Sequence, residues 1–317
     1  ITNALTVFLI SIPFIIFFTS DNFYKILFFS TIILLLEAVN PLFYLQGKNN
    51  MFPKVLINFF FKILYIFLIY FFIKNGDDTY LANFFYALSA LFFVLLFWTN
   101  HFIKSGLTRI SISINNIKKR LSENFTLFLS STFTHLTLNS ALIVLSFFAT
   151  NRELGRFTLS YKVAFFMRMV PVFFIQSSLQ KASNLYKISI KDFNDYISKY
   201  YVLGLIFNSI LAIGILFSSD FIIEIFSNEK IEFSSNILSI LSFIPLLAML
   251  NFKNIVCILI NDFKDLLNKA TFYTLIFLLI SSLILSFFYS GYGLAIALIL
   301  TEIFSFVIHS ILLNNVR

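Results

Sequence analysis

Charge is scarce in this chain. Asp, Glu, Lys and Arg together make up 12% of its 317 residues, too few to clothe a surface that faces water on all sides. A single cysteine, Cys257, excludes an internal disulfide and any cysteine metal cluster. Three histidines, His101, His135 and His309, stand far apart with no H-x-x-x-H pair, so no metal site is expected. No GxxxxGK[ST] loop occurs, which excludes a P-loop ATPase and leaves no cofactor to assign. The first apolar run has neither a basic n-region nor a small-residue cleavage site, so it does not read as a signal peptide.

What is abundant is apolar. Hydrophobic residues reach 59%, the mean hydropathy is +0.90, and runs of about 20 such residues, enough to cross a hydrocarbon core of about 30 Å, follow one another almost without pause. They are continuously apolar and lack the alternation of a lipid-facing strand, so helices rather than a barrel are expected. The fold class is therefore all-α: a polytopic membrane protein of ten transmembrane helices at about 4–19, 26–46, 54–74, 79–101, 123–149, 156–180, 197–218, 235–261, 267–288 and 292–313. Turn residues mark the linkers at 47–53, 75–79 and 290–293. The acidic stretch Ser219 to Ser234 is expected to form an interfacial helical turn rather than another span.

Lys and Arg test this count, because they accumulate in alternate, cytoplasmic loops. With the chain starting inside, fourteen fall in inner loops and the tail, five in outer loops and four within spans, out of 23. The net charge of +8 is thus explained by loop charges, with membrane lipids rather than nucleic acid as partner. Both ends are expected to face the cytoplasm. The basic connection KSGLTRISISINNIKKR can lie on anionic headgroups, and it sets the expected division: an N-terminal lobe at 1–103, a cytoplasmic connector at 104–122 and a six-helix C-terminal lobe at 123–317.

Polar residues inside the spans recur at helical spacing, which puts them on single faces hidden from lipid. Glu37, Asn40 and Tyr44 form one stripe, Asn58, Lys62 and Tyr65 a second, and Ser131, His135 and Asn139 a third. Thr158, Tyr161 and Arg168 follow, then Asn251, Asn254 and Asn261, then Glu302, Ser305 and His309. Any one asparagine or histidine stripe is more simply explained by interhelical hydrogen bonds. Six together point to a hydrated cavity. Ionised groups at membrane depth need water or a counter-charge, so Glu37 and Lys62 are candidates for an ion pair or for substrate and ion handling. The stretch Gly155 to Lys181 is the most unusual, with Lys162, Arg168 and Pro171 inside an otherwise apolar span; Pro171 marks a candidate bend. Lys162 and Lys253 lie off the main stripes of their helices.

Three segments carry a family resemblance. NPLFYLQGKNNMF at 40–52 resembles the proline, aromatic, then QG pattern closing the fourth helix of polysaccharide and O-antigen flippases. From Asn124 onward the chain resembles the helix pair opening their second lobe, with its G-x-[YF]-x-x-[AS]-x-K pattern at Gly155, Phe157, Ser160 and Lys162. YGLAIALILTE at 292–302 is similar to their last helix, with Ala295 in place of a glycine; a proline common after the sixth span's glutamine is also missing after Gln176. These flippases belong to the multidrug/oligosaccharidyl-lipid/polysaccharide exporter superfamily, whose members have twelve helices in two lobes of six. The resemblance implies a MATE-like two-lobe architecture and leaves the family's first two helices unmatched, so an N-terminal lobe short by two helices is expected.

It further implies a transporter of the bacterial cytoplasmic (inner) membrane, not an enzyme. Its substrate would be a polyprenyl-pyrophosphate-linked oligosaccharide for polysaccharide, O-antigen or capsule synthesis, flipped by alternating access in company with polysaccharide assembly proteins. On that reading Arg168, Lys62 and Lys162 form a cationic cavity for phosphates, His135, Asn139, Asn251 and Asn254 meet sugar hydroxyls, and Glu37 and Glu302, with Asp262 as a further candidate, carry a coupling ion. A cation-coupled multidrug or metabolite antiporter of the same superfamily is the alternative, and a membrane polysaccharide polymerase a more distant one. Four intramembrane cations against two carboxylates favour an anionic substrate.

Overall fold

The structure is a computed structural model and describes residues 21–41, 45, 51–74, 78, 80–105 and 114–315. Among these residues every element is a helix and no strand occurs: α1 is Asp21–Ala38, α2 Met51–Phe72, α3 Tyr80–Ser105, α4 Ile114–Ser146, α5 Asn151–Ile188, α6 Ile190–Ser227, α7 Glu232–Leu241, α8 Ile244–Leu250, α9 Phe252–Ile260 and α10 Lys264–Asn314. α3, α4, α5, α6, the α7–α9 stretch Glu232–Ile260 and α10 are each long and apolar enough to cross a membrane. The chain is a multi-pass, all-α membrane protein. The span expected at 4–19, Tyr44, most of the 40–52 motif and the centre of the basic connection lie outside the described residues.

The chain divides into two compact units, Ile1–Ser111 and Ile112–Arg317. In the first, α1 and α2 both pack on α3. The Asn83 amide donates to Ser30 Oγ at 2.9 Å and the Trp98 indole to the Val39 carbonyl at 2.8 Å. The Tyr86 ring meets Phe61 and Tyr65 edge-on. Single polar donors thus set the α1–α3 register while rings fill the α2–α3 seam.

In the second unit α10 runs 51 residues, which at 1.5 Å per residue would measure roughly 75 Å, more than twice a hydrocarbon core. It folds back instead. Ser290 takes φ 49°, ψ −126° and splits α10 into arms at 264–289 and 291–314. The reversal is so tight that a Cβ on Gly293 would stand 1.9 Å from the Leu285 carbonyl oxygen, so no side chain fits there. By contrast α5 is unbroken across Pro171, which is buried within it.

Two helices differ from the spans expected by hydropathy. α4 begins at Ile114, so Lys118, Lys119 and Arg120 ride on its opening turns. α6 continues to Ser227 and is stopped by Asn228 in the left-handed region (φ 56°), whose N–H returns to the Glu224 carbonyl. Asp220 and Glu224 are therefore on the same helix as the span, not on a separate interfacial turn. Between Leu241 and Ile244 the α7–α9 stretch is interrupted where Pro245, lacking an N–H, cannot bond back. It is interrupted again at Asn251, whose N–H closes a tighter turn to Ala248.

Apolar side chains of the second unit gather into two clusters. One contains Phe157 and Ala164 of α5, Ile215 and Ile223 of α6, Leu238 of α7 and Leu294 and Leu298 of α10. The other contains Ile175 and Ala182 of α5, Phe193 and Ile197 of α6, Phe252 and Val256 of α9 and Leu313 of α10. α5, α6 and α10 feed both, so what lies between the clusters along each of these helices lies between them in the bundle.

Candidate functional site

Between those clusters α5 contributes Arg168, α6 contributes Asn208, and the second arm of α10 contributes Glu302, Ser305 and His309; Asn251 at the α8–α9 junction, flanked by Met249 and Phe252 of the second cluster, borders them. This is a polar belt between two apolar clusters. Its centre is an ion pair: Arg168 Nε donates to Glu302 Oε1 at 2.5 Å, with side-chain exposures of 25% and 14%. Neither Nη nitrogen of Arg168 makes a hydrogen bond among the described residues. The guanidinium is thus held by one edge while the other keeps its donors in reserve. One turn pair away on α5, the buried Tyr161 hydroxyl donates to the Leu138 carbonyl of α4.

The rest of the belt is knitted together. The Asn251 amide nitrogen lies 3.2 Å from Ser305 Oγ and from His309 Nδ1, and Asn254 donates to Asn251 Oδ1 at 3.2 Å and to Ser310 Oγ at 2.8 Å. His309 Nδ1 sits 2.7 Å from the Ser305 carbonyl oxygen. A carbonyl only accepts, so Nδ1 carries the ring proton. Asn251 and His309 are buried. Their polar atoms join α8 and α9 to the second arm of α10, so this pair of stripes faces inward upon itself.

His135 and Asn139 are exposed on α4, and the Asn139 amide donates to the His135 carbonyl of its own helix at 2.8 Å. Lys162 is exposed on the side of α5 that also carries Phe166 and Phe173, away from Arg168. Lys253 places Nζ 4.7 Å from the Tyr201 ring centroid and 3.3 Å from Ser198 Oγ. Asp262 stands in the turn before α10, at φ 54°, paired with Lys264 at 3.4 Å and well exposed.

In the first unit Glu37, Asn40, Asn58 and Tyr86 line a cavity of about 100 Å³, and the Asn40 amide donates to Glu37 Oε2 at 2.9 Å. Lys62 is exposed on α2. No ion pair joins it to Glu37 among the described residues: the carboxylate turns to an asparagine three residues on, not to the neighbouring span. No cluster of His, Cys, Asp or Glu able to hold a metal occurs among the described residues.

One polar contact was invisible to periodicity. Thr150 caps α5 by accepting from the Glu153 N–H. The Glu153 carboxylate does not reach back to the cap, as a capping box would have it. Its Oε1 accepts from Ser290 Oγ at 2.5 Å and from the Gly291 N–H at 3.0 Å, holding the reversal of α10. The T-x-x-E pattern at 150–153 signals a helix start, and nothing in it signals the distant partner.

No protein-family model matches this sequence, and no curated protein matches it. The fold does have a counterpart. A solved structure described as the outward-facing conformation of a multidrug resistance MATE family transporter of the MOP superfamily is similar with a TM-score of 0.72 and 13% sequence identity, over 97% of this chain and 73% of that one. The chain has that transporter's fold.

Proposed function

We propose, taking that MATE-like fold as premise, that this protein is an alternating-access transporter of the bacterial cytoplasmic membrane that flips a polyprenyl-pyrophosphate-linked oligosaccharide to the outer leaflet for polysaccharide assembly. The observation that carries the substrate class is the state of the intramembrane charges. Glu302 neutralises Arg168, yet Lys62, Lys162 and Lys253 remain against the lone carboxylate Glu37. Cations at membrane depth are costly and mark pathways for charged cargo. A diphosphate is the cargo that such an excess suits. Arg168 is the residue fit to grip it, since Glu302 fixes the guanidinium through Nε and leaves both Nη groups for a two-point contact with phosphate oxygens. Lys162, turned away from Arg168 on α5, and Lys62, in the first unit, each add positive charge of their own to the pathway, and His135 and Asn139, exposed on α4, meet sugar hydroxyls. Asn251 and Asn254 support the belt by binding α10. Glu37, in its small cavity, takes the coupling cation or proton.

A second reading, a cation-coupled multidrug antiporter, is favoured by what the similar structure is described as transporting. Reconstitution separates the two. Proteoliposomes loaded with a fluorescent polyprenyl-pyrophosphate disaccharide should scramble it between leaflets, as read by dithionite quenching, and Arg168→Lys, which keeps charge and loses the fork, should slow flipping by about tenfold, corresponding to about 1.4 kcal/mol. Proton-driven ethidium exchange with no movement of the glycolipid would instead establish the antiporter.

A further inference from the structure

The proposed pathway leaves one cationic cavity unused. At the end of the second unit where α10 reverses, Arg152, Arg156, Tyr289 and Tyr292 line a cavity of about 430 Å³ together with Thr150, Glu153, Phe233 and Ser290. A volume of a few hundred Å³ is that of a small-molecule site. Neither arginine forms an ion pair or side-chain hydrogen bond among the described residues. Ser234 bonds only the Arg156 carbonyl, which leaves that guanidinium uncommitted. The acid in the same cavity is spoken for: Glu153 Oε1 accepts from Ser290 and Gly291.

The two tyrosines flank that clamped reversal, Tyr289 on the first arm of α10 and Tyr292 on the second, and they are 62% and 37% exposed. Such rings at a cavity rim offer an apolar face with a polar edge. Tyr292 is steadied by an edge-on contact with Phe233 and by the Asn236 amide at 3.5 Å. Guanidiniums grip phosphate or carboxylate oxygens, while aromatic faces take the C–H surface of a pyranose. Water-soluble inorganic anions would use only the first half of this lining.

We infer that the Arg152, Arg156, Tyr289 and Tyr292 cavity is a binding site for an anionic sugar, a pyranose bearing phosphate or carboxylate. Its ligand is the glycan part of the proposed cargo, held at the bundle end that loop charges put outside; only this origin rests on the flippase reading. The experiment reads binding alone, on the whole chain in detergent. Saturation-transfer NMR with glucose 1-phosphate should show ring protons in contact with protein, with glucose weaker by about tenfold and inorganic phosphate displacing glucose 1-phosphate only at about tenfold higher concentration, since each satisfies one half of the lining.

The double variant Arg152→Gln, Arg156→Gln should weaken glucose 1-phosphate by about tenfold or more, Arg152→Lys with Arg156→Lys should restore part of the affinity, and Tyr289→Ala should weaken glucose 1-phosphate without changing phosphate binding. Partial rescue by lysine separates lost recognition from lost folding. Competition by a polyprenyl-phosphate hexose added to the micelles identifies the ligand as lipid-linked; binding without such competition identifies it as free glycan phosphate. Phosphate binding as tightly as glucose 1-phosphate, or unchanged binding by the double glutamine variant, overturns the site. A protein that binds here and flips no glycolipid would retain this inference and lose the transport reading.

Discussion

The ion pair between α5 and α10 makes a quantitative prediction. Removing one partner of a fully buried pair costs about 3–5 kcal/mol, because the survivor is left uncompensated in a low dielectric. Here the side chains retain 25% and 14% exposure, which lets some solvent reach the survivor and lowers the expected cost of Glu302→Leu to about 2–3 kcal/mol. Arg168→Leu should cost less, about 1–2 kcal/mol, because a stranded carboxylate can be discharged by protonation and a guanidinium cannot. With both replaced by leucine no charge is stranded, so the double variant should sit within about 1 kcal/mol of the parent. The cycle therefore predicts a coupling of about 2 kcal/mol or more in favour of the pair. The measurement is reversible unfolding in mixed micelles titrated with dodecyl sulfate, followed by far-ultraviolet circular dichroism. Single substitutions that simply add, to within about 0.5 kcal/mol, would refute the reasoning.

Three further outcomes follow from the same geometry. Gly293→Ala forces a Cβ to within 1.9 Å of the Leu285 carbonyl; with backbone on the far side of the clash, a loss of about 3 kcal/mol or more is expected in the same unfolding assay. Ser290→Ala should destabilise by about 1–2 kcal/mol, losing the bond to Glu153 while keeping the positive φ, and Ser290→Gly should recover most of that by relieving the backbone. Asn251→Ala should cost about 1–2 kcal/mol, since it deprives Asn254 of an acceptor and opens the belt beside His309; slowed hydrogen exchange of the second arm of α10 relative to the parent would contradict it.

Much of the fold was legible because lipid imposes so simple a demand. Hydropathy located each traverse of the second unit, and the rare turn residues at 290–293 correctly parted what one long helix, α10, would otherwise conceal. Helix ends were less legible, for hydropathy reports membrane depth and not helicity. Residues 114–122 are polar and helical at once, and Asp220 and Glu224 simply extend α6. Stripes identified which face of each helix is polar, yet not which other stripe it meets. Arg168 and Glu302 belonged to two separate stripes 134 residues apart, and only the packing of α5 on α10 unites them. Glu37 and Lys62 lie on successive spans and looked like natural partners, but helix rotation aims the carboxylate at Asn40. Glu153 was not singled out, because nothing near it in the sequence marks its distant partners Ser290 and Gly291.

The interrupted α7–α9 stretch bears on how the protein is made. It is the most enclosed of the described spans: 44% of its apolar stretch is buried inside the protein, against 22–28% for the other five. Backbone whose bonding is broken at Pro245 and Asn251 is tolerated at membrane depth only where protein, not lipid, surrounds it. Leaving the ribosome before either arm of α10 exists, this segment meets lipid with Asn251 and Asn254 lacking their Ser305 and Ser310 partners. It is the traverse whose insertion waits on the helix that follows, and synthesis must reach the last arm of α10 before the fourth crossing of this unit is secure.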